Sequence, residues 1–166
     1  KAGHRRIGLI EGEVWMDASR DRLKGYRQAL ANAEILFDPD LVRPGNWEPS
    51  AGYEQTHALM NLPDPPTAIF CSNDLMALGC YEALKELGER IPEDMAVIGY
   101  DDREIAQFTR PPLTTILLPH FEMGTLAAEY IINYSVQIKG RQPQIKVECP
   151  LVERNSVGPI LPAQVD

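Results

Sequence analysis

Arg22, Asn73 and Asp101 are the side chains of this 166-residue sequence whose types suit one shared task. An asparagine amide both donates and accepts hydrogen bonds, an ionised aspartate only accepts, and an arginine presents a fork of donors. Vicinal hydroxyls, each able to donate one hydrogen bond and accept others, match that set. Trp47 adds a flat face suited to a sugar ring. Each residue also has a plainer role open to it. Arg22 can be a surface arginine on a solvated face, Trp47 can pack beneath a loop, and Trp15 and Met16 are open in the same way. Asp74 reads first as an N-cap and dipole partner of the helix it opens, with ligand contact second. Asp102 reads as a residue that orients the turn after it.

The elements that must position these groups can be read from the segment PTAIFCSNDLMALGCYEALKELGERIPEDMAVIGYDD, Pro66 to Asp102. AIFCS is a short apolar run ending at Asn73-Asp74, LMALGCYEALKELG has helical spacing, and MAVIGY ends at Asp101-Asp102. Strand, helix and strand in that order form a parallel pair with a crossover. Ligands of open parallel sheets bind outside the carboxyl ends of the strands, where Asn73 and Asp101 fall.

The same alternation runs through the chain. RRIGLI predicts a first strand. Ser19 is placed as N-cap of a helix through Ala33, with Leu23, Tyr26, Leu30 and Ala33 on one buried face. Arg22, in the first turn of that helix, can then reach the rim of the first strand. LVRPG reads as a weak strand, Pro49 to Leu62 as a helix with proline in its first turn, and REIAQF as a short helix. LTTILL reads as a β-branched strand. Phe121 to Lys139 reads as a long helix with Met123, Leu126, Ala127, Tyr130, Ile131, Tyr134 and Ile138 on its apolar stripe, stopped at Gly140. IKVECPLVE supplies one or two closing strands. The fold class is therefore α/β, with a Rossmann-like, mainly parallel sheet and flanking helices.

Several function classes are disfavoured. A net charge of −8 with scattered basic residues does not suit a chain that grips phosphate backbone by itself. No apolar run approaches the roughly 20 residues of a membrane helix. There is no GxSxG, Walker A, GxGxxG or HExxH pattern, and His4, His57 and His120 lack ligand spacing, so neither catalysis, a metal nor a cofactor is expected. Cys71, Cys80 and Cys149, odd in number and without CxxC spacing, read as buried, inert thiols of a cytoplasmic protein. The abrupt first strand suggests a piece of a longer chain.

The motifs HRRIGLI, SRDRLKGY, PTAIFCSNDLMALGCYEAL, RIPEDMAVIGYDD, PLTTI and LVERNSV, in this order and over nearly the whole chain, resemble the lactose/purine repressor (LacI/GalR) family of bacterial transcriptional regulators. The resemblance implies a fold of two lobes, similar to periplasmic sugar-binding proteins, with an effector between them. Residues 1–117 would form the C-terminal lobe. Residues 118–144 would be a crossover and a helix of the other lobe, and 145–166 the return strands and tail. The DNA-binding domain and the first half of the effector domain would lie outside this sequence. A helix so placed lacks its partner sheet here, and its apolar stripe calls for a cover from outside this sequence, from a neighbouring chain, or by rearrangement.

Carried over by position, the family's effector contacts land on Arg22, Asn73 and Asp101, with Trp47 at the aromatic position. The loop Trp15 to Ala18, including Met16 and Asp17, and the crossover residues His120 and Met123 would line the rest. Purine-binding relatives use an arginine and a threonine in that loop and a phenylalanine at the aromatic position, where this sequence has Met16, Ala18 and Trp47. The set therefore looks like a sugar reader more than a purine reader. Homodimer contacts are implied along the helix from Leu75 and around Arg103 to Phe108, and operator contact only through the N-terminal domain. The function implied is that of an effector-sensing domain whose ligand shifts operator affinity. A transport-type sugar-binding protein of the same fold is the alternative, and a small α/β enzyme or phosphoreceiver a third.

Overall fold

A computed structural model describes residues 2–133 and 144–159. Six strands form one sheet in the order β2-β1-β3-β4-β5-β6. They are β1 (Ile7–Ile10), β2 (Val42–Arg43), β3 (Ala68–Cys71), β4 (Ala96–Asp101), β5 (Thr114–Leu117) and β6 (Leu151–Val152). The first five pair in parallel, and β6 runs antiparallel against β5. The helices are α1 (Asp17–Asn32), α2 (Pro49–Met60), α3 (Asp74–Leu87) and α4 (His120–Ile132).

Period-two alternation along the strands divides the core. Leu9, Tyr26 and Leu30, with Phe70 and Leu23, pack beneath α1. Ile10, Ile69, Cys71 and Val97 face the other way, against Leu59 of α2 and Met76, Cys80 and Leu84 of α3. Helices α2 and α3 touch backbone to backbone. A Cβ on Gly52 would sit 1.9 Å from the carbonyl oxygen of Met76, and one on Gly79 would sit 1.8 Å from that of Pro49. Two side-chain-free positions thus let the helices meet, and the contact fixes the start of α2 beside the start of α3.

Three local expectations are corrected. Helix α1 begins two residues before Ser19, with Met16 at its N-cap position. Ser19 lies inside the first turn, buried, with its hydroxyl unpartnered among the described residues. Ala33 is the exposed C-cap of α1, so the buried stripe ends at Leu30. The N-cap of α3 is Asn73, whose Oδ1 accepts from the Met76 amide at 2.8 Å; Asp74 is the first helical residue and is fully buried. REIAQF does form the expected short helix, of 3₁₀ type, as the turn Glu104–Gln107.

Helix α4 buries none of its residues, and Phe121, Ile131 and Ile132 are each more than three-quarters exposed. Of the described stripe residues, Leu126 is half-buried while Met123, Ala127, Tyr130 and Ile131 are exposed, so the single chain shows this face bare, against the expectation that it would be covered. The expected Tyr134, Ile138 and Gly140 continuation lies outside the described residues. Of the cysteines, Cys71 and Cys80 are buried as expected, whereas Cys149, in a segment without regular structure, is exposed.

Candidate functional site

The carboxyl end of β4 and the ring of Trp47 meet at Arg22. Its guanidinium carbon lies 3.9 Å from the centroid of the Tyr100 ring and 5.3 Å from that of Trp47. Both separations are within the range in which a cation is attracted to an aromatic face. Arg22 Nη2 stands 4.0 Å from Asp101 Oδ1, and both side chains are about 15% exposed. That separation is too long for a hydrogen bond but within ion-pair range, so each group can still bond a third atom set beside the pair. Arg22 Nε is buried and has no hydrogen-bond partner among the described residues.

Trp47 enters from the turn before α2, at φ 69°. Its ring lies over Gly12, where a Cβ would be only 1.9 Å from the indole, and its Nε1 donates to the Met16 sulfur at 3.1 Å. Asn73 joins the same group. Its Nδ2 donates to the Trp47 carbonyl at 2.9 Å while its Oδ1 caps α3. One amide therefore ties two helix starts together, leaving one N–H and one lone pair for anything else.

Asp101 closes the site. Burial pushes its carboxyl above the ordinary range, and the charges of Arg22, Arg103 and His120 act against that rise. Arg103 Nε approaches Asp101 Oδ2 at 3.7 Å. Asp101 and Asp102 both lie at positive φ, 110° and 52°. Non-glycine residues in such conformations cost about 1–3 kcal/mol each and persist where surrounding bonds hold them. The bonds here come from three directions. Asp74 Oδ2 accepts from the Arg103 amide at 2.7 Å, Thr115 Oγ1 donates to Asp74 Oδ1 at 2.6 Å, and Arg154 Nη2 donates to Asp102 Oδ1 at 2.6 Å. Asp101 and Asp102 thus serve different partners on different sides of the chain.

Of the residues singled out from sequence, Arg22, Trp47, Met16, Asn73 and Asp101 are brought together. Trp15 is 70% exposed, and the Asp17 carboxylate is paired with Arg20 on the outer side of α1; neither joins the cluster. His120 acts on Asp101 through its charge, and Met123 is exposed on α4. Two participants were missed, Tyr100 and Arg103. For Tyr100 a signal was present: it shares parity with Ile98, which pairs with Phe70 beside Leu9, so it had to face α1 and Arg22. Arg103 carries no such signal, because its place depends on the positive-φ turn.

A family model described as a periplasmic binding protein-like domain matches residues 1–157. The chain belongs to that family. It is 39% identical over 157 residues to the transcriptional repressor CytR of Escherichia coli K12, an alignment covering 93% of this chain and 45% of CytR. It is 38% identical over 164 residues to the transcriptional repressor PurR of Haemophilus influenzae PittEE, covering 97% of this chain and 49% of PurR. A LacI-family regulator from Enterococcus faecium, solved with bound ribose, superposes with a TM-score of 0.86 at 29% identity. That match covers 96% of this chain and 59% of the other. The LacI-family resemblance drawn from the motifs therefore holds, as does the α/β fold class. The chain spans about half the length of the curated relatives it matches.

Proposed function

We propose that this chain is the C-terminal lobe of the effector-binding domain of a LacI-family transcriptional repressor, and that a sugar or sugar-bearing effector binds across Arg22, Trp47, Asn73 and Asp101. The observation that carries this reading is the 4.0 Å gap between Arg22 Nη2 and Asp101 Oδ1, beside a buried and unpartnered Arg22 Nε. A hydroxyl set beside that pair, about 2.8 Å from each atom, accepts from the guanidinium and donates to the carboxylate at once. The indole of Trp47 supplies an apolar face beside it. The ribose in the solved Enterococcus faecium relative is a ligand of the chemistry this arrangement suits.

The lobe division follows the same reading. The exposed Phe121, Ile131 and Ile132 of α4 suit a helix that packs on a sheet formed by sequence preceding this chain. Effector bound between two lobes would then bias their relative orientation, and through it the operator affinity of an attached DNA-binding domain. The whole acts as a cytoplasmic binding module with no catalytic step. Among the described residues no helix is long and apolar enough to cross a membrane and no cluster of metal-ligating side chains occurs.

A homodimer is proposed on the surface formed by α3 and the Glu104–Gln107 turn. Ile105 and Phe108 are 39% and 60% exposed there, next to the half-buried Leu78, whereas Tyr81 is buried with its hydroxyl donating to the Pro111 carbonyl. Phe108→Glu in the full-length protein is expected to shift sedimentation from dimer to monomer.

The effector assignment is tested by thermal shift of the full-length protein against a panel of pentoses, hexoses, nucleosides and purine bases. A ligand at 100 times its dissociation constant stabilises by about 2.7 kcal/mol. The expected response is to a hydroxyl-bearing ring and is lost in Arg22→Ala and Asp101→Ala. A response that survives both substitutions removes these residues from the pocket.

A further inference from the structure

Buried polar groups outside the pocket converge on the turn that carries Asp101. Asp74 is fully buried at the start of α3, yet it neither caps that helix nor faces Arg22. Both of its oxygens are engaged from the far side of the turn, by Thr115 of β5 and by the backbone amide of Arg103. It also fits tightly against β4, since a Cβ on Gly99 would come 2.3 Å from Asp74 Oδ1. Arg154, two residues past the end of β6, is mostly buried as well. Its Nη1 donates to the Leu113 carbonyl at 2.8 Å and its Nη2 to Asp102. Thr115 Oγ1 further accepts from the Asp102 amide at 3.4 Å. Residues from three separate elements therefore grip the two amides and one carboxylate that follow Asp101.

We propose that Asp74, Thr115 and Arg154 form a clamp that holds the positive-φ turn at Asp101-Asp102, and that they are positioning residues for effector recognition, acting only through the Asp101 carboxylate. The inference rests on the pocket reading above and deepens it. Without the clamp the turn relaxes toward ordinary negative φ, and the carboxylate swings off the line to Arg22. Arg154 gives the clamp a second consequence. It follows the strand by which the chain returns after α4, so displacement of that segment pulls on Asp102 and thereby on the pocket.

The test uses full-length protein carrying Asp74→Asn, Thr115→Val or Arg154→Lys. Amide hydrogen exchange over residues 101–104 is measured without sugar, and binding by calorimetric titration with D-ribose. In Asp74→Asn, exchange at residues 102 and 103 is expected to quicken at least tenfold while β1 and β3 keep wild-type protection. D-ribose affinity is expected to fall about tenfold. Asp101→Asn keeps an acceptor oxygen and is expected to weaken D-ribose binding without abolishing it, and in that background the same substitution is expected to leave the remaining affinity unchanged, because its effect passes through that one carboxylate. Unaltered exchange in all three variants, or an affinity loss of equal size with and without Asp101, overturns the proposal. Should wild type fail to bind D-ribose, that sugar is not the effector, and the exchange comparison alone decides the clamp. If Asp74→Asn does not fold, Arg154→Lys, which keeps the charge and loses the fork, carries the same comparison.

Discussion

Arg22 rests on the ring of Tyr100, 3.9 Å from its centroid, and Tyr100 immediately precedes Asp101, the carboxylate that Arg22 faces. One strand end thus supplies both the platform for the cation and its counter-charge. Alternation makes the two side chains of a strand end leave on opposite faces, but Asp101 at φ 110° departs from extended geometry and turns back toward the guanidinium. Removing the platform while keeping an apolar side chain separates the two contributions. Tyr100→Leu is expected to weaken effector binding by about two- to thirtyfold, in keeping with a cation–π contact of roughly 0.5–2 kcal/mol. Titration calorimetry with the wild-type effector checks this. An unchanged dissociation constant would show that Arg22 holds its place without the ring.

The two tryptophans provide an optical test of the same geometry. Trp47 lies over Gly12 with its indole N–H on the Met16 sulfur, whereas Trp15 is 70% exposed. In Trp15→Phe the emission is expected to be blue-shifted, poorly quenched by acrylamide and responsive to effector. In Trp47→Phe the remaining emission should be red-shifted, readily quenched and blind to effector. A ligand response carried by Trp15 would place the pocket on the opposite side of the first loop.

Much of this arrangement was legible in the sequence because it depends on period and position. Strand ends are marked by where apolar runs stop, and the parallel order follows from alternation of strand and helix, so the sequence places Arg22, Asn73 and Asp101 together at the carboxyl end of the sheet. What could not be read depends on choices between neighbouring residues. Asn73 and Asp74 are both good N-caps, and only the depth of burial decides that the amide caps while the carboxylate turns inward to Thr115 and Arg103. Trp15 and Asp17 share a loop with Met16, and nothing in their spacing says which side chain faces the cleft. The clamp residue Arg154 reaches the turn across 52 residues of sequence, a contact that only the closing strand creates.

The glycines at the α2–α3 contact set where Trp47 and Asn73 meet. Gly52→Ala and Gly79→Ala each force a methyl group to within 2 Å of a carbonyl oxygen on the facing helix. The helices must separate, and a destabilisation of about 1–3 kcal/mol is expected from such overpacking. Gly25 is the control. It lies inside α1 with nothing within 4 Å of an added Cβ. Gly25→Ala should therefore stabilise by roughly 0.5–1 kcal/mol through helix propensity. Urea unfolding of the three variants tests the contrast, and equal effects at Gly25 and Gly79 would deny the close helix contact.

Thiol chemistry reports the same packing from another direction. Cys71 and Cys80 are buried, and burial drives the Cys71 thiol well above its ordinary pKa, whereas Cys149 is exposed. Only the thiolate reacts with disulfide reagents, so one of the three cysteines should be modified rapidly at pH 8 and two only on unfolding. Rapid titration of more than one thiol in folded protein would contradict the packing of β3 against α3.

The buried carboxylate of Asp74 imposes a pH dependence whose sign can be worked out. Burial raises its pKa from 3.8 to about 6, against the hydrogen bonds from Thr115 and Arg103, while Asp101 and Asp102 add to the rise. Between those two values the native state holds a proton that the unfolded chain has released. Stability from this group is therefore fully present below about pH 4 and declines as pH rises toward 6. Each pKa unit corresponds to about 1.4 kcal/mol, so the decline is at most about 3 kcal/mol. Asp94 works in the opposite direction at lower pH. Its side-chain bond from Arg90 holds it at about 2, so that contribution is lost only as pH falls below the ordinary carboxylate range. Urea unfolding of wild type and Asp74→Asn from pH 4 to 7.5 isolates the Asp74 effect, since Asp94 is common to both. The stability of wild type relative to Asp74→Asn is expected to fall steadily across pH 4 to 6 and to level off above it. A flat difference would mean that Asp74 stays ionised across the range, its two hydrogen bonds outweighing the loss of water. A difference that grows with pH would require those bonds to depress its pKa below that of the unfolded chain.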